Sequence, residues 1–265
     1  MNMYFRELKF YRKSAFIWIA SLISVTFIFM AMFPAISDDI ADLNRMLQGF
    51  PEQVKKAFGL NSLNLSTIIG YYSYVFSFIV LAAGIQAMNL GISSLSLETR
   101  DKTADFLLSK PVSRKKIVTS KLLASITILI INNVLYFTAS LIIAEIFKKE
   151  NFSIKALFMV SFSMFLIQLI FVSMGTLLAA VMKKIKAVLP LSLGLVFGFY
   201  VISLLAASVN DEKLKYITPF SYFNMTYIVN NSSYQLSYLL LTFTVVTVSI
   251  LLSYIIYSKK DIIAA

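Results

Sequence analysis

The segment ETRDKTADFLLSKPVSRKKIVTSK, Glu98 to Lys121, carries seven Lys or Arg residues and three acids, yet the charge-free runs Ala57–Leu97 and Leu122–Ala144 flank it. About 20 apolar residues suffice to cross a bilayer core of about 30 Å, so each flank is long enough to hold a membrane span. The charged segment is then the turn between two spans. Four further charge-free runs, Ser14–Ser37, Ala156–Met182, Ala187–Asn210 and Tyr216–Ser258, complete the pattern. The expectation is an all-α integral membrane protein: one domain over residues 1–265, six spans, both termini on one side. Ser14–Ser37 reads as a retained first span rather than a cleaved leader, because its apolar core is long.

Composition agrees and narrows the chemistry. The chain is 58% hydrophobic and 14% charged, with a mean hydropathy of +0.79, outside the range of soluble domains. It has no cysteine and no histidine, which removes disulfides, thiol nucleophiles, imidazole bases and the usual zinc ligands. None of the eight glycines precedes a lysine, so the chain lacks the glycine-rich loop and lysine that cradle nucleotide phosphates. No ATP site and no cofactor are expected in it.

Lys and Arg counts set the orientation. The side holding the termini and the Glu98–Lys121 segment carries 16 basic residues against five acids, and the other side carries eight of each. The whole net charge of +11 therefore lies on one face, expected to be cytoplasmic. Attraction to anionic lipid explains such an excess in a membrane protein, and no nucleic-acid partner is expected.

Residues 1–13 place Arg6, Lys9 and Lys13 on one stripe and Tyr4, Leu8 and Tyr11 on another, the pattern of an interfacial helix. As one helix, Tyr216–Ser258 would measure about 65 Å, twice the core. Pro219 and the cluster Asn230–Ser233 are expected to break it, leaving ITPFSYFNMTYIV as an outer segment before a last span near Gln235–Tyr257. That outer segment is either a re-entrant element or an interfacial aromatic belt. Span two is placed near Thr67–Leu95.

Few polar groups enter the spans. Gln86, Asn89 and Ser93 share a face of span two, Asn132 and Asn133 interrupt span three, and Gln168 lies in span four. Each is either interhelical hydrogen-bond glue or part of a substrate pathway. Ser77, Gly84 and Gly91 recur every seven residues, and Gly194 and Gly198 form a GxxxG in span five; both allow close helix approach, within the chain or across a dimer seam. No Lys or Arg falls at mid-membrane, which disfavours a carrier driven by an ion gradient. A scaffold that moves no solute stays open beside a transporter.

Within the opening segment Glu98, Asp101, Lys102 and Asp105 line one helical face and Leu97, Ala104 and Leu108 another, so Glu98–Ser109 reads as a surface helix stopped by Pro111. A topology anchor needs no acids. Mixed charge suits a protein partner.

These residues resemble the loop between the second and third spans of ABC-2 type permeases, the membrane subunits of type V ABC transporters. The resemblance rests on Glu98, Thr103, Leu107-Leu108-Ser109, Pro111-Val112-Ser113-Arg114 and Lys121. It extends to FPEQVKKAFGL, YITPFSYF and YSKKDI, with Lys102 standing where the family often has glycine. It implies a half-transporter that pairs with a second permease chain and takes two copies of a separate ATP-binding subunit, which holds ATP and Mg. It further implies a coupling helix in the 98–121 loop, with Glu98, Asp101, Thr103, Asp105, Phe106, Leu107, Pro111 and Arg114 at the ATPase contact, and a pathway lined by spans two and five. The leading reading is an exporter, and the polar but uncharged, aromatic-rich spans suit an amphipathic or apolar substrate.

Overall fold

Six helices long and apolar enough to cross a membrane dominate the computed structural model. It describes residues 3–39, 45–46, 48–57, 59–60, 63–100, 112–182 and 184–259, apart from the side chains of residues 98 and 99. Span one is Met3–Ala31, followed by the short helix Phe33–Asp38. Spans two to six are Ile68–Arg100, Arg114–Phe147, Ile154–Val181, Val188–Val209 and Leu236–Lys259. Among the described residues there is no strand. Six crossings put residues 3 and 259 on one side, called here the termini side; the opposite one is the far side.

The N-terminal segment is helical as expected but is not a separate element. No glycine or proline occurs between residues 3 and 31, so nothing interrupts the backbone ladder. The resulting helix is about 43 Å long at 1.5 Å per residue, and its first turns extend past the apolar core. Its partners on span three run backwards over those turns: Tyr4 bonds Thr127 at 2.9 Å and Glu7 meets Lys121 at 3.3 Å. Later they run forwards, with Thr26 on Tyr136 and Phe27 against Phe147. Such an order describes a segment lying across span three and then alongside it. Pro34, in the first turn of Phe33–Asp38, has no N–H to continue the helix, which accounts for the break after Ala31.

Spans two and four form the enclosed centre, with span two also packed on span five and span six on span four. Their crossing depends on missing side chains. A Cβ on Gly91 would lie 2.3 Å from the Val172 carbonyl oxygen, and one on Gly175 2.7 Å from that of Met88. The two backbones touch there. A Cβ on Gly84 would lie 3.1–3.2 Å from the Phe171 ring and Val196, so this glycine seam lies inside the chain.

Cap residues set the remaining boundaries. Ser113 and Ser153 accept from the N–H of Lys116 and Ala156 and open spans three and four. Span five ends on Asn210 in the left-handed region, φ 53°, which asparagine tolerates. Ser232, at φ 45°, closes the helix Met225–Asn231, placing the expected polar break at Asn230–Ser233 and leaving the last span to start at Leu236.

Candidate functional site

Three places bear on function: the loop between spans two and three, a polar layer inside the bundle, and a cavity on the far side. Of the loop, Asp101, Thr103, Asp105, Phe106, Leu107 and Pro111 lie outside the described residues. The expected surface helix from Glu98 begins otherwise, since Glu98–Arg100 continue span two without a break. Arg114 opens span three and donates to the Tyr257 carbonyl at 3.4 Å, tying the exit of the loop to the end of span six. Thr119 and Tyr254 share a 2.7 Å hydrogen bond at the same junction.

Lys121 is the residue that the sequence undervalued. Read as one of several flanking bases, it is 1% exposed, with its ammonium 3.3 Å from the Glu7 carboxylate, itself 5% exposed. Seven residues past Arg114, it sits about 10 Å into span three. The signal available in sequence was a lone acid, Glu7, among the four bases of the N-terminal helix. Removing either member of a buried ion pair takes away the opposite charge that faces the other, which is strongly destabilising.

The polar candidates inside the spans divide into two groups. Gln168 accepts from Asn133 Nδ2 at 2.6 Å and donates to the Ala83 carbonyl and to Gln86 Oε1, at 3.3 and 3.4 Å. Asn133 also donates to the Leu129 carbonyl. Spans two, three and four are thereby laced together by three amides. Asn132 is buried, and half-buried Asn89 accepts from Ser93 at 3.4 Å, one turn along the same helix. A second layer links Tyr72 to Ser161 and Tyr136 to Thr26. Gln168→Leu should leave Asn133 with only its bond to Leu129, remove the donor to Gln86 and cost about 1–2 kcal/mol. The check is the thermal midpoint of the detergent-purified protein, which should fall; an unchanged midpoint would show that the layer contributes nothing.

On the far side, the chain after span five folds inwards. Thr218 donates to the Phe199 carbonyl at 2.8 Å and Pro219–Ser221 form a 3-10 turn. That turn aims Phe220 at Phe171 and Tyr200, with ring centroids 5.3 and 5.5 Å away. Tyr200 lies nine residues, about 14 Å, below the end of span five. The segment is therefore re-entrant rather than a surface belt. Tyr222 and Tyr234 brace it by donating to the Tyr216 and Met159 carbonyls at 2.7 and 2.6 Å. Burial, and next Tyr238, push the Tyr222 hydroxyl up to about 12, and burial also raises Tyr234, so both remain donors at neutral pH.

Between this segment, spans two and five and the short helix Glu52–Ala57 lies a cavity of about 190 Å³. Ser77, Phe78 and Val80 face it from span two, and Tyr200, Ser203 and Leu204 from span five. Gln86, Asn89, Ser93, Asn132 and Asn133 do not line it. A Cβ added at Gly194 or Gly198 of span five would meet nothing outside its own stretch of helix within 4 Å, and both glycines are exposed on the outside of the bundle.

A six-span helical bundle with a charged turn, a re-entrant far-side segment and a cavity between spans two and five defines the class: a polytopic membrane protein. The chain belongs to a family described as ABC-2 family transporter protein, which matches residues 1–262. It is thus a permease subunit of an ABC transporter, and its family associates with an ABC ATP-binding subunit. Among curated proteins none matched significantly.

Proposed function

We propose that the chain is the membrane half of an ATP-driven exporter of an amphipathic or apolar substrate, with ATP and Mg held by two copies of a separate subunit. The observation that carries the reading is the family match over nearly the whole chain, joined to a cavity between spans two and five. The basic excess supports a cytoplasmic termini side, hence a far-side cavity that faces out. Nucleotide-driven closure of the partner would push on the 98–121 loop. Span three starts within that loop and is fastened to span one by Glu7–Lys121 and to span six by Arg114 and Thr119, so movement there reaches three spans together.

Assembly is proposed as a two-fold pair of permease chains, identical or closely related, with span five at the seam. Gly194 and Gly198 leave an unfilled strip beside exposed Leu193 and Phe197, a shape that a second helix can enter. Gly194→Leu with Gly198→Leu should leave the folded chain intact and lower the purified mass from two permease copies to one. A pair that survives both substitutions would move the seam elsewhere.

The experiment for coupling is Phe106→Ala with Leu107→Ala. These two apolar residues are proposed to enter a pocket on the ATPase, where truncating a buried anchor typically costs about 2 kcal/mol or more. Insertion should persist because the flanking bases remain. The variant should lose the partner, or lose transport-stimulated ATP hydrolysis. Normal partner retention, hydrolysis and transport would remove the loop from its coupling role.

A further inference from the structure

The far-side cavity has an electrostatic asymmetry that the transporter reading does not use. Its two ionisable cations, Lys56 and Lys215, come from the short helices Glu52–Ala57 and Glu212–Ile217, at the far-side end. Among the described lining residues there is no Asp or Glu. Among the described residues, the acids of the same two short helices and their caps are engaged elsewhere or stand outside. Glu52 pairs with Lys55, Asp211 accepts from the Lys213 N–H at 2.8 Å as a helix cap, and Glu212 is exposed without lining the cavity. Lys215 is half-buried and donates to Asn210 Oδ1 at 2.9 Å, a neutral contact that holds its ammonium without neutralising it.

Below the lysines the wall changes character. Val80 lies twelve residues into span two, about 18 Å from its far-side end, and Tyr200 about 14 Å into span five. Phe78, Val80, Leu204 and Phe220 make this deeper part apolar, interrupted by the hydroxyls of Ser77 and Ser203. The cavity thus has a cationic mouth over an apolar throat that reaches about half-way into a core of about 30 Å. Its volume of about 190 Å³ is more than ten times the ~15 Å³ that one water requires.

We infer that this cavity binds an amphiphile with an anionic headgroup, a phosphate or carboxylate, placed between Lys56 and Lys215 with its apolar body against Phe78 and Phe220. The inference deepens the exporter reading by naming the charge class of the substrate, and its biological meaning rests on that reading. Its test does not, because binding is measured on the purified full-length chain with no ATPase or nucleotide present.

The probes are hexyl phosphate, hexanoate, hexyltrimethylammonium and inorganic phosphate, titrated calorimetrically into the protein in an uncharged detergent. Hexyl phosphate and hexanoate should bind saturably, and at least about tenfold more tightly than the cationic analogue, the order given by two partly exposed charge pairs. Lys56→Gln with Lys215→Gln should erase that preference without shifting the thermal midpoint, since both residues lie outside the spans. The control Lys155→Gln with Lys213→Gln, which removes the same charge at exposed positions that do not line the cavity, should leave binding unchanged.

Equal affinity for the anionic and cationic amphiphiles, or no saturable binding, overturns the proposal. So does an equal loss in the control variant, which would reduce the effect to net charge. Inorganic phosphate binding as tightly as hexyl phosphate would make this a free-anion site and also overturn it. None of these results bears on whether an ATPase joins the chain.

Discussion

Gly91→Val is expected to abolish the folded protein, whereas Gly194→Val in the same chain is expected to be tolerated. Both glycines sit in apolar helices and both belong to small-residue patterns, so composition does not separate them. Geometry does. At Gly91 the new Cβ would fall 2.3 Å from the Val172 carbonyl oxygen and 3.0 Å from the Thr176 nitrogen, both backbone atoms that no rotamer change can move. The two central spans would have to part, which forfeits the packing of Gly175 on Met88 as well. Overpacking of this kind costs at least about 3 kcal/mol, and a seam between two enclosed helices cannot relax into lipid. A Cβ at Gly194 would meet nothing outside its own stretch of helix within 4 Å. Fluorescence-detected size exclusion of tagged variants should therefore show Gly91→Val lost or aggregated and Gly194→Val folded. Equal behaviour of the two would contradict the crossing of spans two and four described here.

Glu7→Leu is expected to cost about 3–5 kcal/mol, more than any substitution of a surface charge. It removes the carboxylate 3.3 Å from an ammonium that is wholly enclosed by the bundle, and Lys121→Met does the converse to Glu7. The double variant Glu7→Leu with Lys121→Met should recover most of the loss, because an apolar pair of similar size replaces a buried ion pair at little or no net cost. Thermal unfolding of the four proteins in one detergent gives the coupling. If the double variant is as unstable as the sum of the singles, the ion pair is not what fastens the N-terminal helix to span three.

Much of the fold was legible because membrane insertion demands a signal that composition cannot hide. Charge-free runs of 23 residues or more leave little choice of structure, and Pro219 with the Asn230–Ser233 cluster marks where the last run must break. What escaped the sequence depends on neighbours. By sequence alone Gln86 and Asn133 suit hydrogen-bond glue and a substrate pathway equally, yet Gln168 turns both into interhelical ties. The residues that line the far-side cavity from span two, Ser77, Phe78 and Val80, carry no polar periodicity of their own. Lys121 is indistinguishable by type from Lys115 and Lys116, which are exposed; only the arrival of Glu7 across 114 residues of chain buries it. That buried pair also qualifies the inference from missing charges: the bundle does enclose an acid and a base, but they meet near the termini side.

The central claim, that this chain is driven by a separate ATPase, is tested most directly by purifying the full-length chain from its native membrane through a terminal tag in mild detergent, then weighing the intact complex. Two permease chains with two copies of an ABC ATP-binding subunit are expected, with that subunit alone lost when Phe106 and Leu107 are both alanine. A chain that emerges folded without any ATP-binding partner, under conditions that preserve other membrane complexes from the same preparation, would contradict it.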